Sequence, residues 1–410
     1  MTRTLGEQLA IYRRRRSMSQ RDVAEAAGIS VDTVRQLEQG QRHTARLGTL
    51  VKIAGALDQD LAELIGKPRG LVVGAEDGEI AHLRRAVLDL IPAEAEPDAA
   101  VLRDELGDAW RLYWVGRYAA LARALPANIT AARASVRAAA DPAAARQAQA
   151  VLADFLHLVA SLLAHLAHDD LAALAMYQAL AAAGHAEDEL LVAGMSATRA
   201  WMLSRQGLLG EAESLALATA RSIEPSMATA NVDQVAIWGE NLRYACVALA
   251  RDGRHTEAAE LLPRLRLAAA RVEAARPARA WTERVTDKST RPLAGLAFGA
   301  TLATMTAVAV AGAADRHRQA LALEDQVPNF GSVSPSMRSR HLLTVAWAQM
   351  ADYRSQAAVG TLLRAEKIAP DLFFHQTIAR TIVAELLPRR RKQRLPGLVS
   401  LAERMGVPAG

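Results

Sequence analysis

"SQRDVAEAAGISVDTVRQLEQG", running from Ser19 to Gly40, decides how this chain begins. Two short helical patterns flank a glycine. Ser19 and Ser30 carry hydroxyls suited to the orphan N–H groups of a helix start, and Gly28 and Gly40 are stop residues. Val23 and Ala24 pack the first helix inward, and the alanine leaves room for the next helix to cross it. Gly28 falls at the turn, where a positive φ is easily met only by glycine. Ile29, Val34 and Leu37 supply the inward face around and within the second helix. This spacing fixes two short helices at a steep angle, so that the second can lie in a major groove: a helix-turn-helix.

Val31, Asp32, Arg35 and Gln36 share the face opposite Val34 and Leu37. Gln36 can make paired hydrogen bonds to adenine, and Val31 can touch a thymine methyl. Asp32 can accept from cytosine but repels phosphate, so its main effect is to exclude wrong sequences. Thr33, Arg35, Arg21 and Arg42 are the candidate phosphate contacts. The run Arg13–Arg16 winds around the helix axis, so its members cannot act together as a clamp.

From Leu5 to Gly66 the chain resembles the Xre/Cro-type helix-turn-helix family of phage and bacterial repressors, through "SQRDVAEAAGIS", "VRQLEQG" and the helices that follow. The resemblance implies a lambda-repressor-like unit of five helices. These are expected at Leu5–Arg16, Ser19–Ala27, Ser30 to just before Gly40, Ala45–Leu57 and Asp60–Ile65. It also implies that Gln20 holds a phosphate and that Val31, Asp32 and Gln36 read bases. Arg13 and Glu38 would form a structural ion pair. One such unit contacts only a short half-site, and the family binds near-palindromic double-stranded operators as twofold dimers. A homodimer on operator DNA is therefore expected.

That unit is a small part of 410 residues. Hydrophobic residues make up 51% and aromatics 4%; much of the apolar content is alanine, which favours an all-α protein with close helix contacts. "GKPRGLVVGAEDG" (Gly66–Gly78) has five Gly or Pro residues and no helical period, so it reads as a linker. The expected domains are 1–66 for DNA binding, 67–78 as linker and 79–410 as a helical dimerisation and sensor body. Helices are expected over 79–91, 98–116, 118–139, 142–167, 169–183, 186–206, 208–222, 231–251, 254–275, 292–314, 315–326, 335–351, 353–368, 372–388 and 396–405. No alternating strand pattern stands out.

The helices pair with a weak repeat. "RQGLLGEAESLALATARSIEP" (Arg205–Pro225) and "ARDGRHTEAAELL" (Ala250–Leu262) each set a glycine five residues before an alanine of the next helix. This resembles the tetratricopeptide pattern, although Gly207 and Gly253 are 46 residues apart rather than about 34. The expected architecture is an α-solenoid of tetratricopeptide-like helix hairpins. A repressor-type head on such a body resembles the peptide-pheromone receptors of Gram-positive bacteria and, more closely, a set of regulators from high-GC bacteria. The first resemblance implies a peptide or small-molecule effector in the concave groove. A groove closed by its own side chains would instead argue for docking of another regulatory protein. For a ligand face, Asn231, Gln234, Trp238 and Asn241 fall on one stripe: amides that can bond an extended peptide, and an indole that can cover an apolar side chain. A core tryptophan with edge or cap amides fits the same stripe.

Other chemistry has little support. His157, His165 and His168 share a helix face without an adjacent second ligand helix, and read as core-edge or solvated residues rather than a metal site. No P-loop, GxGxxG, HExxH or GxSxG occurs, so neither an enzyme nor a cofactor is expected. The single Cys246 excludes an intramolecular disulfide, sits in an apolar pattern that suits an inert thiol, and fits a cytoplasmic life. "MTRTLGEQLAIYRRRR" lacks a signal-peptide pattern. The uncharged run Pro292–Ala314 exceeds eighteen residues, but its Ala, Gly and Thr gain little from lipid, so a buried helix and no membrane span are expected. "NIT" at Asn128–Thr130 falls inside an expected helix and is set aside as a glycosylation site.

Overall fold

A computed structural model describes residues 5–16, 18–42, 45, 47–57, 76–92, 99–277, 279–281, 283, 298–374, 376–391 and 393–407. Among these residues every regular element is helical. The fold is all-α: an N-terminal helix-turn-helix unit and a helical-repeat body. Helices α1 (Leu5–Arg15), α2 (Gln20–Ala26), α3 (Val31–Glu38) and α4 (Leu47–Ala56) build the first unit. Leu9, Val23, Val34, Leu37, Leu50 and Ile53 form its core. The expected fifth helix at Asp60–Ile65 lies outside the described residues, as does most of the expected linker. The linker's last residues, Glu76–Gly78, are already helical, because α5 spans Glu76–Val87.

The body follows as consecutive hairpins. They are α6 (Ala99–Trp114) with α7 (Tyr118–Ala138), α8 (Pro142–His165) with α9 (Asp169–His185), and α10 (Glu189–Arg205) with α11 (Leu209–Ser222). Next come α12 (Val232–Arg251) with α13 (His255–Ala275), α14 (Ala300–Ala313) with α15 (His317–Glu324), and α16 (Pro335–Ala351) with α17 (Ser355–Ile368). The first helices of successive hairpins, α6, α8, α10, α12, α14 and α16, also pack on one another in series. This is solenoid order, in which each repeat buries its apolar face only against its neighbours.

One turn recurs in all six hairpins. Gly116, Ala167, Gly207, Gly253, Asp315 and Tyr353 each take a positive φ. The next residue's N–H reaches back five positions: Arg117 to Leu112 O, His168 to Leu163 O, Leu208 to Leu203 O, Arg254 to Leu249 O, Arg316 to Ala311 O, and Arg354 to Gln349 O. This is the Schellman closure, which satisfies carbonyls that a helix end otherwise leaves open.

The chain after α17 differs from the single helix expected at 372–388. It breaks into α18 (Pro370–Phe374) and α19 (Thr377–Leu386), followed by a 3-10 turn over Leu387–Arg391. Pro370 opens α18 and Pro388 falls in the 3-10 turn that follows α19, so the two prolines bound this pair of helices. Helix α20 (Leu398–Met405) is the last described element. Of the apolar run at 292–314, residues 292–297 lie outside the described residues and α14 begins at Ala300; it is buried around most of its circumference, as befits a core helix. Among the described residues only α8 is long and apolar enough to cross a membrane, and 83% of that apolar window is buried inside the fold.

The solenoid closes on itself. Ser336 Oγ, in the first turn of α16, donates to Trp114 O at the end of α6, 3.1 Å away and 222 residues apart. Ala369 and Leu372 join the same core as α6 to α9. Packing is tight at the crossing of α12 with the chain before α14. The backbone of Gly239 on α12 lies against the ring of Phe298, where an added Cβ would overlap the ring atoms. Gly239→Ala should therefore lower stability by about 1–3 kcal/mol through overpacking. The effect would be read as a lower urea midpoint with an unchanged slope; an unmoved midpoint would mean the ring can shift freely.

Candidate functional site

Helix α2 starts with a reciprocal cap. Ser19 Oγ accepts from Asp22 N at 3.1 Å, and Asp22 Oδ2 accepts from Ser19 N at 2.7 Å. These bonds hold the Asp22 carboxyl below its ordinary range. Gly28, at φ +61°, turns the chain, and Ile29 N closes on Ala24 O at 2.9 Å. Ser30 then caps α3, accepting from Thr33 N at 3.3 Å. Helix α1 crosses α3 at Gly6, where a Cβ would collide with the carbonyl oxygen of Leu37.

A half-buried ionic knot fixes the angle. Arg13 Nε donates to Glu38 Oε1 at 2.6 Å and Arg13 Nη2 to Oε2 at 3.0 Å; Arg13 Nη1 donates to Met18 O at 2.9 Å. Gln20 Nε2 donates to Glu38 Oε2 at 2.7 Å. Donating to the Glu38 carboxylate raises the affinity of the Arg13 guanidinium for its proton. Gln20, expected on a phosphate, is thus anchored to the end of α3, with a second amide N–H left over.

On the outer face of α3, Val31 is 43% exposed, although it is a large apolar residue. Asp32 is exposed and pairs with Arg35, Oδ1 to Nη2 at 2.7 Å. Sequence reasoning gave these two side chains separate roles; in the structure they share an exposed pair of the kind worth only a few tenths of a kcal/mol and easily exchanged for DNA contacts. Gln36 is half-buried on the same face, and the Thr33 hydroxyl is held by Ser30 Oγ at 2.8 Å. Arg21 and Arg42 are exposed on either side, and Arg42 N closes the end of α3 on Gln36 O at 3.0 Å.

The family model described as "Helix-turn-helix domain" matches residues 4–66. This stretch is a helix-turn-helix domain. No curated protein matches the chain. A crystal structure of Bacillus thuringiensis PlcR in complex with the peptide PapR7 and DNA aligns over 87% of this chain and 99% of that chain. The identity is 10% and the TM-score 0.28, a likeness that places no residue of this chain.

Outside the helix-turn-helix domain, the stripe expected to hold a ligand is occupied within the fold. Asn231 caps α12, its Oδ1 accepting from Gln234 N at 2.8 Å, and Gln234 Nε2 donates to Ile223 O at 3.1 Å. Trp238 is a buried core residue, and Asn241 is fully buried with Nδ2 donating to Ala193 O and Ile237 O. The stripe faces neighbouring helices rather than an open groove. His157 and His165 are likewise buried, bonded to Thr198 Oγ1 at 2.8 Å and Tyr113 OH at 3.0 Å. Burial depresses His157 to about 4, so it is neutral near pH 7. Cys246 is buried, and its thiol is pushed up to about 12 by desolvation. Asn128 is buried in α7 and donates to Glu105 Oε2 at 2.6 Å.

What sequence reasoning missed lies at the centre of the solenoid. Helices α6, α8, α10, α12 and α16 converge on a cavity of about 30 Å³. Trp110 stacks on Trp114 at 5.8 Å, and Trp114 meets Trp281 edge-on at 5.6 Å. Trp201, Tyr244, Met337 and Arg340 close the other sides. Glu240, 2% exposed, accepts from Arg243 Nε at 2.8 Å and Nη2 at 2.6 Å, both at Oε2. Burial raises the Glu240 carboxyl above its usual range, with Arg243 opposing the shift. One signal was available: "WRLYW" (Trp110–Trp114) puts three aromatics into five positions of a chain with only 4% aromatics.

Proposed function

We propose that this protein is a cytoplasmic, non-enzymatic, sequence-specific transcription regulator that binds operator DNA as a homodimer. Residues 1–66 would bind DNA, 67–78 would link, and 79–410 would pair the heads and sense an effector. The observation that carries this reading is the division of labour on α3. Val34 and Leu37 are core and Glu38 is the electrostatic anchor. Val31, Asp32, Arg35 and Gln36 are left on the outer face, with Thr33 at its start. So few contacts need a second copy, set about 34 Å away along the duplex, to be specific.

The test is a mobility shift of the full chain on its own upstream DNA over a salt series. Gln36→Ala should cost about 1–3 kcal/mol on the preferred site and relax the preference there. Arg42→Ala should weaken binding alike on all sequences and reduce the salt slope by about one. Equal loss on all sequences for Gln36→Ala would remove its base-reading role, and no shift at low salt would sink the regulator reading.

A second reading has one observation in its favour. The stripe expected to hold an extended peptide is taken up by contacts within the fold: Trp238 and Asn241 are buried and Gln234 is bonded to Ile223 O, which suits a scaffold docking another regulatory protein rather than a peptide lying along that face.

A further inference from the structure

Two residues that line the central cavity carry a buried polar atom with no hydrogen-bond partner: the Trp110 Nε1 donor and the Glu240 Oε1 acceptor, on residues 4% and 2% exposed. A donor and an acceptor left unsatisfied beside one cavity call for an occupant that can pair with both. The Arg340 guanidinium stands at the same cavity, 5.8 Å from the Trp201 ring, and makes no hydrogen bond or ion pair with any described residue. Glu240 is ion-paired with Arg243, and the charge of Arg340 also favours its carboxylate, so two guanidinium groups stand against one carboxylate at the site. That balance favours an anion over an ammonium group.

We propose that this cavity is the collapsed form of a binding site for a small planar aromatic carboxylate. Its carboxylate would pair with Arg340 and accept from Trp110 Nε1. Its ring would lie between the half-buried faces of Trp114, Trp201 and Tyr244, and a ring N–H or O–H would donate to Glu240 Oε1. As it stands the cavity holds about two waters, by the ~10–15 Å³ that one needs. Admission therefore requires Met337 and Arg340, both long, unbranched and half-buried on α16, to swing outward. Because Ser336 ties α16 to Trp114 O, such a displacement acts on the contact that closes the solenoid.

This inference rests on the reading of the body as a sensor, and its test is separable from DNA binding. The full-length protein is titrated with 4-hydroxybenzoate and indole-3-carboxylate up to about 5 mM, a range suited to small ligands. Saturation-transfer NMR and thermal stabilisation report binding; indole, 4-hydroxybenzamide and acetate are the controls. At least one aryl carboxylate should bind and the controls should not. Arg340→Met should weaken binding about tenfold or more, and Trp110→Phe, which removes only the N–H, roughly fivefold. Both variants should shift DNA as the wild type does. If neither acid binds, the cavity holds water only and the proposal falls. It falls equally if both variants bind as the wild type does. Failure of the DNA shift with intact ligand binding would instead remove the regulator reading.

Discussion

Glu38→Ala should unfold the helix-turn-helix domain at far lower stress than the wild type, with a loss of about 3 kcal/mol. Glu38 accepts three hydrogen bonds, two from Arg13 and one from Gln20, and its side chain is 7% exposed against 15% for Arg13. Removing one partner of a buried ion pair costs about 3–5 kcal/mol, because the remaining charge stays desolvated. The partial exposure of Arg13 puts this case at the low end. Fluorescence would miss the event, since all six tryptophans lie at or beyond Trp110. Hydrogen exchange by mass spectrometry resolves it: amides in α2 and α3 should exchange roughly a hundredfold faster, while those in α8 and α12 stay unchanged. The double variant Arg13→Met/Glu38→Leu should recover most of the loss, because an apolar pair of similar volume replaces a buried ion pair at little cost. Protection in α2 and α3 within threefold of the wild type for Glu38→Ala would mean that the apolar core alone sets the crossing angle.

The parts of this molecule that were legible in sequence are those with local causes. Val23, Ala24, Gly28, Val34 and Leu37 answer to helical period, caps and a positive-φ turn within twenty residues, and the structure gives them those roles. Gly6 shows no such signal, because its reason is the carbonyl of Leu37 on a different helix. The same contrast runs through the body. Gly116, Gly207 and Gly253 mark three hairpin turns, whereas Ala167, Asp315 and Tyr353 make the same turn with the same hydrogen bond without glycine. Hence the repeat was visible and its number was not. Of the stripe expected from Asn231 to Asn241, Gln234, Trp238 and Asn241 lie within α12, while Asn231 precedes it as the cap. A solenoid helix, however, is covered on more than one side, and period alone does not say which face meets a neighbour. The central cavity needed more still: it exists because curvature brings α16 back to α6, and no local pattern encodes a contact between Trp114 and Ser336.

Arg243→Met should produce the other large effect, a loss of about 3–5 kcal/mol in the body near pH 8. Arg243 lies between Glu240 and the ring of Tyr244, 3.9 Å from its centroid, and both members of the ion pair are nearly out of solvent, at 13% and 3%. Burial alone would depress the Arg243 guanidinium, but the Glu240 carboxylate overrides it and raises it. Methionine keeps the length and apolar contacts of the side chain while removing the charge, leaving Glu240 desolvated, without its hydrogen-bonded partner and with only the more distant charge of Arg340 to favour it. The carboxyl, already raised by burial, rises further in the folded variant. The folded state then binds more protons than the unfolded one, so stability falls as pH rises through the folded pKa and recovers as pH drops toward the ordinary carboxylate range. Tryptophan fluorescence can follow this unfolding, since all six indoles lie in the body. The variant should melt well below the wild type at pH 8, and the gap should narrow steadily on acidification to pH 5. Adding Glu240→Gln should restore most of the stability at pH 8 and abolish the narrowing, because an amide has no proton to take up. A gap that stays constant between pH 5 and 8 would show that Glu240 does not titrate there, and that the loss comes from the packing of Arg243 against Tyr244 rather than from its charge.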